Sequence, residues 1–142
     1  MSRSIERIAR FGRLIRRHHL LLLKTWFVVA VIRVTLTLRS YRPVVNHIAS
    51  VSPHGTRSIP LPLLAWAVER MARFVPHASC LTQALALRYL AAREGEPCSI
   101  RIGVKNREGA AFEAHAWVMA GGDVIIGGKK ERVEEFTPLI DL

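Results

Sequence analysis

The stretch SCLTQALALRYLAAREGEPCSIRIGVK, residues 79–105, contains both of the periodicities on which the fold depends. Its first half is apolar at helical spacing, with Ser79 as the predicted helix N-cap and Gly95 just beyond the predicted helix end. After Pro97 the apolar residues alternate with polar ones, which is the period of a strand. The stretch therefore predicts a helix that begins at Cys80 and is followed by a β-strand.

Two further strands are predicted downstream. A turn over residues 106–109 leads to the alternating run 113–118, and the pair Gly121-Gly122 turns the chain into residues 124–126. Short strands joined by tight turns form an antiparallel meander. Because the helical segments precede the sheet, we expect an α+β fold in which the Cys80 helix packs on the sheet.

The N-terminal residues predict helices. Residues 5–17 form an amphipathic basic helix, whose arginines lie opposite the apolar positions Ile5, Ile8, Phe11 and Ile15. Residues 20–38 approach the length of a membrane span, but Lys24 and Arg33 interrupt them, and each costs roughly 2.5–3.5 kcal/mol at a bilayer centre. This pattern favours a buried or interfacial helix over a transmembrane one. No small-residue cleavage site follows, which argues against a secretory signal.

The organisation along the chain follows from composition. A length of 142 residues suits one domain. Turn formers and three prolines between residues 40 and 60 predict a connecting segment with little regular structure, and residues 61–74 have helical periodicity. We therefore divide the chain into a basic and apolar helical region, 1–45, a connecting segment, 46–60, and a core, 61–142.

The charge is distributed unevenly. Residues 1–45 carry ten Lys and Arg against Glu6 alone, a net +9, whereas residues 46–142 carry eleven against ten acids, a net +1. A basic end on a near-neutral body indicates a docking helix for a partner or a membrane surface. One alternative hypothesis is therefore a non-enzymatic protein that binds an anionic membrane or nucleic acid through this end.

The two cysteines have different predicted surroundings. Cys80 opens a helix, where first-turn N–H groups and the helix dipole stabilise a thiolate. Cys98 shares the core face of a strand, which favours an inert buried thiol. Two cysteines are too few for a disulfide scaffold, and no spacing of metal ligands occurs, so we expect reduced thiols in a cytoplasmic protein without metal or cofactor.

His115 is the predicted partner of Cys80. It lies mid-strand on one face with Glu113 and Trp117, where an imidazole can meet a thiolate from a helix that crosses the sheet. Purely structural roles for both residues remain open: a small buried thiol and a histidine bonded within the sheet. We favour a solvated, non-catalytic Gln83 and a packing role for Trp117, and we assign no role to the other five histidines.

Three motifs carry a resemblance to a known family: CLTQALAL (80–87), IGVK (102–105) and FEAHAWV (112–118). Together they resemble the lasso-peptide leader peptidase, a transglutaminase-like, papain-type cysteine protease, over about residues 60–142. The resemblance implies hydrolysis of the bond between leader and core of a ribosomally made precursor. Cys80 would attack the carbonyl, and His115 would act as base and then as acid. An acyltransferase or transglutaminase of the same fold would use the same pair.

The resemblance also implies partners. These are the precursor peptide, a winged-helix protein that recognises the leader, and an ATP-dependent macrolactam cyclase. The first 45 residues are too apolar and too poor in strands to be the winged-helix domain, so we expect recognition by a separate protein. The chain has no glycine-rich phosphate loop, so we expect ATP to bind to the cyclase.

The third catalytic residue is left open. Family members have an acidic residue on the strand after the histidine. A two-residue turn pairs Asp123 with Ala120, which places it about five residues, or roughly 16 Å, from His115. The residues nearest His115 in that register are glycines. The alternatives that remain open for the third group are Glu113, Glu131, a backbone carbonyl and a loop distortion. A pair without a third group is also open, because the acid's role is to orient the imidazole.

Overall fold

The computed structural model describes residues 2–56, 59–106, 108–109, 112–128 and 133–142. Helices come first along the chain: α1 (Ser2–Leu38), α2 (Tyr41–Ser50), α3 (Leu61–Ala72) and α4 (Cys80–Arg93). Strands follow: β1 (Ser99–Lys105), β2 (Glu113–Ala120), β3 (Asp123–Ile126) and β4 (Thr137–Asp141). The four strands form one antiparallel sheet, so the predicted α+β class is confirmed.

Helix α1 joins the two predicted N-terminal segments. It runs for 37 residues, and only His18 leaves helical geometry, with φ −119° and ψ 22°. Beyond this kink one face is buried against α3 and α4, through Leu22, Thr25, Val29 and Ile32. Within the part of the chain that the structure describes, His18–Leu38 is the one helix long and apolar enough to cross a membrane by length and composition. Of its most apolar stretch of 18 residues, 28% is buried in the molecule.

Helix α2 corrects the prediction of little regular structure after residue 40. Residues 41–50 are helical, because Pro43 lies in the first turn, where its missing N–H removes no intrahelical hydrogen bond. Val45 and Ile48 are buried on one face of this helix. Its end is held by Arg88, a buried side chain whose Nη2 donates to the carbonyls of Ala49 (3.3 Å) and Val51 (3.1 Å).

Helix α4 is the centre of the main core, and both predicted ends of this helix are confirmed. Ser79 Oγ accepts from the Thr82 N–H at 3.3 Å, and Gly95 follows the last turn with φ +73°. The helix packs on β1 and β2 as predicted. Its fully buried side chains meet the inward residues of these two strands: Leu85, Leu87, Leu90, Ile100 and Val118.

The sheet has the order β3-β2-β1-β4. The predicted two-residue turn is present, since Ala120 pairs with Asp123, but a bulge at Val118/Met119 then brings Val118 opposite Ile126. Strand β4 was not predicted, because Pro138 is unusual within a strand; it is tolerated here at the edge of the sheet, beside β1.

Candidate active site

Cys80 is the first residue of α4 and is half-buried. It occupies this place because the Ser79 cap starts the helix immediately before it. The cap takes the Thr82 N–H, and the Ser79 carbonyl takes the Gln83 N–H at 3.0 Å. The N–H groups of Cys80 and Leu81 precede these two and have no acceptor within the helix. The first turn of α4 therefore presents a thiol beside backbone donors.

A cavity of about 660 Å³ lies against Cys80. Its helical side comes from α2 and the start of α4, and its floor comes from the sheet. The floor is mainly aliphatic, with Ile102, Val104, Leu139 and Ile140. Arg42 is the one permanently charged side chain among the described lining residues. The cavity is thus suited to an apolar segment laid beside a thiol.

His115 lines the same cavity from β2. Its ring is held by two aromatic neighbours, stacked on Trp117 with centroids 6.0 Å apart and tilted against Phe136 at 5.4 Å. Its Nε2 is hydrogen-bonded to the carbonyl of Gly127. Because a carbonyl oxygen can only accept, Nε2 must carry the proton, and the neutral ring then has its lone pair on Nδ1. This is the tautomer in which Nδ1 can act as a base.

The structure brings Cys80 and His115 to one cavity without joining them. Among the described residues no hydrogen bond links the thiol to the imidazole. Cys80 packs at the edge of the main core, together with Ala116, whereas the His115 ring lies with the separate cluster of Trp117 and Phe136. The His115 ring thus lies on the face of β2 that carries Trp117, whereas α4 and Cys80 pack on the face that carries Ala116 and Val118, so the predicted meeting of imidazole and thiol is not observed. Proton transfer between the two groups requires the imidazole to be brought to the α4 face.

Gly127 is held tightly in its position. It has φ +103°, and a Cβ placed on it would lie 2.6 Å from Trp117 Cβ and 2.9 Å from the Ala116 carbonyl oxygen. Only glycine combines this left-handed backbone with so close an approach to β2. The approach aims the Gly127 carbonyl at His115, which matches the backbone carbonyl among the predicted alternatives for the third group.

The acidic alternatives lie elsewhere. Asp123 is exposed and pairs with Ala120, five residues along β2 from His115. Glu113 is exposed at the start of β2, opposite Lys105. Glu131 lies outside the described residues. The Gly127 carbonyl is therefore the observed partner of His115 Nε2.

The remaining predicted residues have structural surroundings. Burial raises the pKa of the Cys98 thiol to about 11, which suits the inert role predicted for it. Gln83 is half-buried instead of solvated, and its Nε2 donates to the Ala78 carbonyl at 3.4 Å, bracing the chain before Cys80. Trp117 is buried, as its predicted packing role requires. Among the described residues no group of three or more His, Cys, Asp or Glu is placed to hold a metal ion.

Several site residues were missed in the sequence. Phe136, which packs on the imidazole, follows Val133 by three residues in a segment without clear periodicity. Lys105 holds this segment in place through an ion pair with Glu135 and a position 5.9 Å from the Phe136 ring. The three-residue spacing of Val133 and Phe136 is the one sequence signal for the short turn that packs on the imidazole. In the structure the Phe136 N–H donates to the Val133 carbonyl and closes this turn.

Comparison with known proteins gives one match. A family model described as "Transglutaminase-like superfamily" matches residues 25–141, most of the chain, including Cys80, His115 and Gly127. No curated protein and no solved structure matches the chain. The superfamily contains cysteine-dependent enzymes, with a fold shared by cysteine proteases and acyltransferases. The match begins within α1, so it covers the helices as well as the sheet, and the chain belongs to the transglutaminase-like superfamily.

Proposed function

We propose that this chain is a cysteine peptidase that removes the leader from a ribosomally made lasso-peptide precursor. The observation that carries the proposal is that Cys80 and His115 both border one cavity, and that the Gly127 carbonyl fixes the tautomer in which His115 Nδ1 is the base. The motifs around both residues resemble the leader peptidases of this class. The superfamily match supports the cysteine-dependent chemistry, and the motifs support the substrate.

The proposed reaction has two steps. As the precursor settles in the cavity, His115 Nδ1 takes the proton of the Cys80 thiol, and the sulfur attacks the carbonyl carbon of the last leader residue. A C–S bond forms, the peptide C–N bond breaks, and the imidazolium gives its proton to the departing amine of the core. Water then attacks the thioester and Nδ1 takes its proton. The C–S bond breaks, the leader leaves with a free carboxylate, and the imidazolium returns the proton to the Cys80 sulfur.

Backbone groups stabilise the charge that develops on the carbonyl oxygen. The N–H groups of Cys80 and Leu81 are the first-turn donors of α4 that lie next to the cavity, because the Thr82 and Gln83 N–H groups are already taken by Ser79. The positive end of the α4 dipole adds to their effect. The start of this helix therefore serves both the nucleophile and the oxyanion.

The cavity indicates the kind of sequence that it accepts. Its aliphatic floor, which includes Ile102, Val104 and Leu139, favours an apolar side chain beside the scissile bond. We propose that a separate winged-helix protein holds the rest of the leader, that the released core passes to a macrolactam cyclase, and that the reaction takes place in the cytoplasm.

The test is to incubate the full chain with a candidate lasso-peptide precursor from the same organism, with and without a candidate winged-helix recognition protein, and to record product masses. We expect leader and core whose masses sum to that of the precursor plus one water. Cys80→Ala should abolish both products, and Cys98→Ala is the matched control. A product carrying an added amine in place of water would support an acyltransferase of the same fold, and an uncleaved precursor in every mixture would contradict the peptidase.

A further inference from the structure

The first part of α1 stands away from the body of the protein. Every described side chain between residues 5 and 16 is exposed, including Ile5 (55%) and Ile8 (71%). A helical segment of this length is only marginally stable by itself in water. It therefore needs a surface to lie on, and its own side chains indicate which surface that is.

The charge of this segment is strongly positive. Arg7, Arg10, Arg13 and Arg16 are exposed along it, with Glu6 as the one acid. Beyond Glu6 the next acidic residue is Glu69, so residues 7–68 carry ten Lys and Arg and no Asp or Glu. Such a surface complements a dense array of anions.

A line of exposed apolar side chains continues along α1 beyond the kink. These side chains are 45–78% exposed and recur at steps of three or four residues, and we call them the apolar stripe: Leu20, Leu23, Phe27, Val31, Val34 and Leu38. The stripe extends about 27 Å along the helix. Beside it lie two more exposed aromatic side chains, Trp26 and Phe74, tied by a hydrogen bond of 3.3 Å from Trp26 Nε1 to the Phe74 carbonyl.

We propose that α1 docks the protein on the surface of an anionic lipid bilayer. The apolar stripe enters the boundary between headgroups and acyl chains, Trp26 and Phe74 lie at headgroup depth, and the arginines before the kink bind lipid phosphates. Nucleic acid or an acidic protein of ordinary polarity would satisfy the arginines but would leave the stripe in water. A bilayer satisfies both.

The helix lies on the bilayer and does not span it. The face of α1 opposite the stripe is packed into the protein through Leu22, Thr25, Val29 and Ile32. A spanning α1 would have to leave α3 and α4 and would expose the apolar core that it covers. Docking by one face leaves the fold unchanged.

The test is flotation of the full chain with vesicles of phosphatidylglycerol and phosphatidylcholine. We expect binding to anionic vesicles that weakens with salt, and weak binding to pure phosphatidylcholine. The triple variant Arg7→Gln, Arg10→Gln, Arg13→Gln should lower the partition coefficient about 100-fold, or about fivefold for each charge removed. Arg101→Gln, which removes a half-buried charge paired with Asp141 on the sheet, is the charge control and should have no effect.

A second variant tests the stripe. Leu23→Ser with Phe27→Ser should reduce binding to anionic vesicles at least tenfold, since each removes an exposed apolar side chain from the bilayer. Phe112→Ser is the matched control, because Phe112 is 74% exposed on the sheet side of the molecule. Circular dichroism should show unchanged helix content in solution, because both substituted side chains are exposed.

Several outcomes would overturn the proposal. They are absence of flotation, equal flotation with neutral vesicles, salt-dependent binding to duplex DNA without binding to vesicles, and resistance to alkaline carbonate, which would indicate a span. Cleavage of a soluble precursor should be the same for all of these variants, so the docking proposal and the peptidase proposal fail or stand independently.

Discussion

The surroundings of Cys80 and Cys98 show how position decides what a thiol can do. Both side chains pack at the edge of the main core. Cys80 opens α4 beside a cavity and a row of backbone donors, whereas Cys98 precedes β1 in an environment whose burial raises its pKa to about 11. The same chemical group thus lies beside a cavity and backbone donors at one position and is protected from ionisation at the other. The predictions below test this contrast.

The largest difference in cleavage rate is expected between two single variants, in which one or the other cysteine is replaced by alanine. Cys80→Ala should lower the rate of precursor cleavage by about 10⁴-fold or more, since the nucleophile is removed. Cys98→Ala should leave the rate within about twofold, because on the proposed mechanism its thiol takes no part in the reaction. Rates are measured from product masses over time. Equal loss of activity in the two variants would remove the distinction.

A smaller effect is expected at the residue that holds His115. Gly127→Ala places a Cβ 2.6 Å from Trp117 Cβ and must displace the carbonyl that orients the imidazole, which should lower kcat about 10²-fold. Gly122→Ala is the matched control, because Gly122 also has a positive φ, +83°, but a Cβ there meets nothing within 4 Å. The comparison is decisive only at temperatures where both variants are folded, as shown by circular dichroism. Equal kcat values for the two variants would contradict a positioning role for Gly127.

The Cys98 thiol should make stability depend on alkaline pH. In the folded protein the pKa of this thiol, about 11, lies above the ordinary value of 9.0. The contribution of the neutral thiol to the free energy of unfolding is therefore complete below pH 9 and is lost as the pH rises to about 11. The expected loss is at most about 2 kcal/mol after allowance for partial exposure. Urea unfolding at several pH values, compared between the native chain and Cys98→Ala, measures it. Parallel pH curves for the two proteins would contradict the buried environment.

The smallest effect concerns the cap that places Cys80 at a helix start. Ser79→Ala removes the acceptor of the Thr82 N–H and should lower the free energy of unfolding by about 1 kcal/mol. Ser40→Ala is the control, since Ser40 is the N-cap of α2 but its side chain makes no capping hydrogen bond. Thermal or urea unfolding gives both values. A larger loss at Ser40 would mean that the cap at Ser79 contributes little.

Local sequence carried enough information for most of the elements, but not for helix α2, for strand β4 or for all of the contacts. Ser79, Gly95 and the Gly121-Gly122 turn each act through their neighbours in the chain, so the helix bounds and the hairpin turn were predictable. The bulge at Val118/Met119 was not, because the alternation of side chains continues through it. Helix α2 was missed because Pro43 reads as a breaker unless its place in the first turn is known.

The candidate site, like the fold, could be predicted only in part from the sequence. Cys80 and His115 were predicted as candidates from their positions on a helix start and a strand. The acceptor for His115 Nε2 is a backbone carbonyl, which every residue has, so no side-chain pattern singles out Gly127 in advance. Phe136 reaches the imidazole only because the segment after β3 folds back over β2, a long-range contact that periodicity does not describe.

Arg88 gives α4 a second role in the site. It lies eight residues after Cys80, about 12 Å along the helix, and it anchors the end of α2, whose residues Tyr41 to Asn46 form one wall of the cavity. The helix that presents the thiol therefore also fastens the wall across from the sheet. Hydrogen exchange should show α2 opening at lower free energy than α4. The nucleophile and the wall across from it thus depend on one helix, so a substitution at Arg88 should change the cavity as well as the free energy of unfolding.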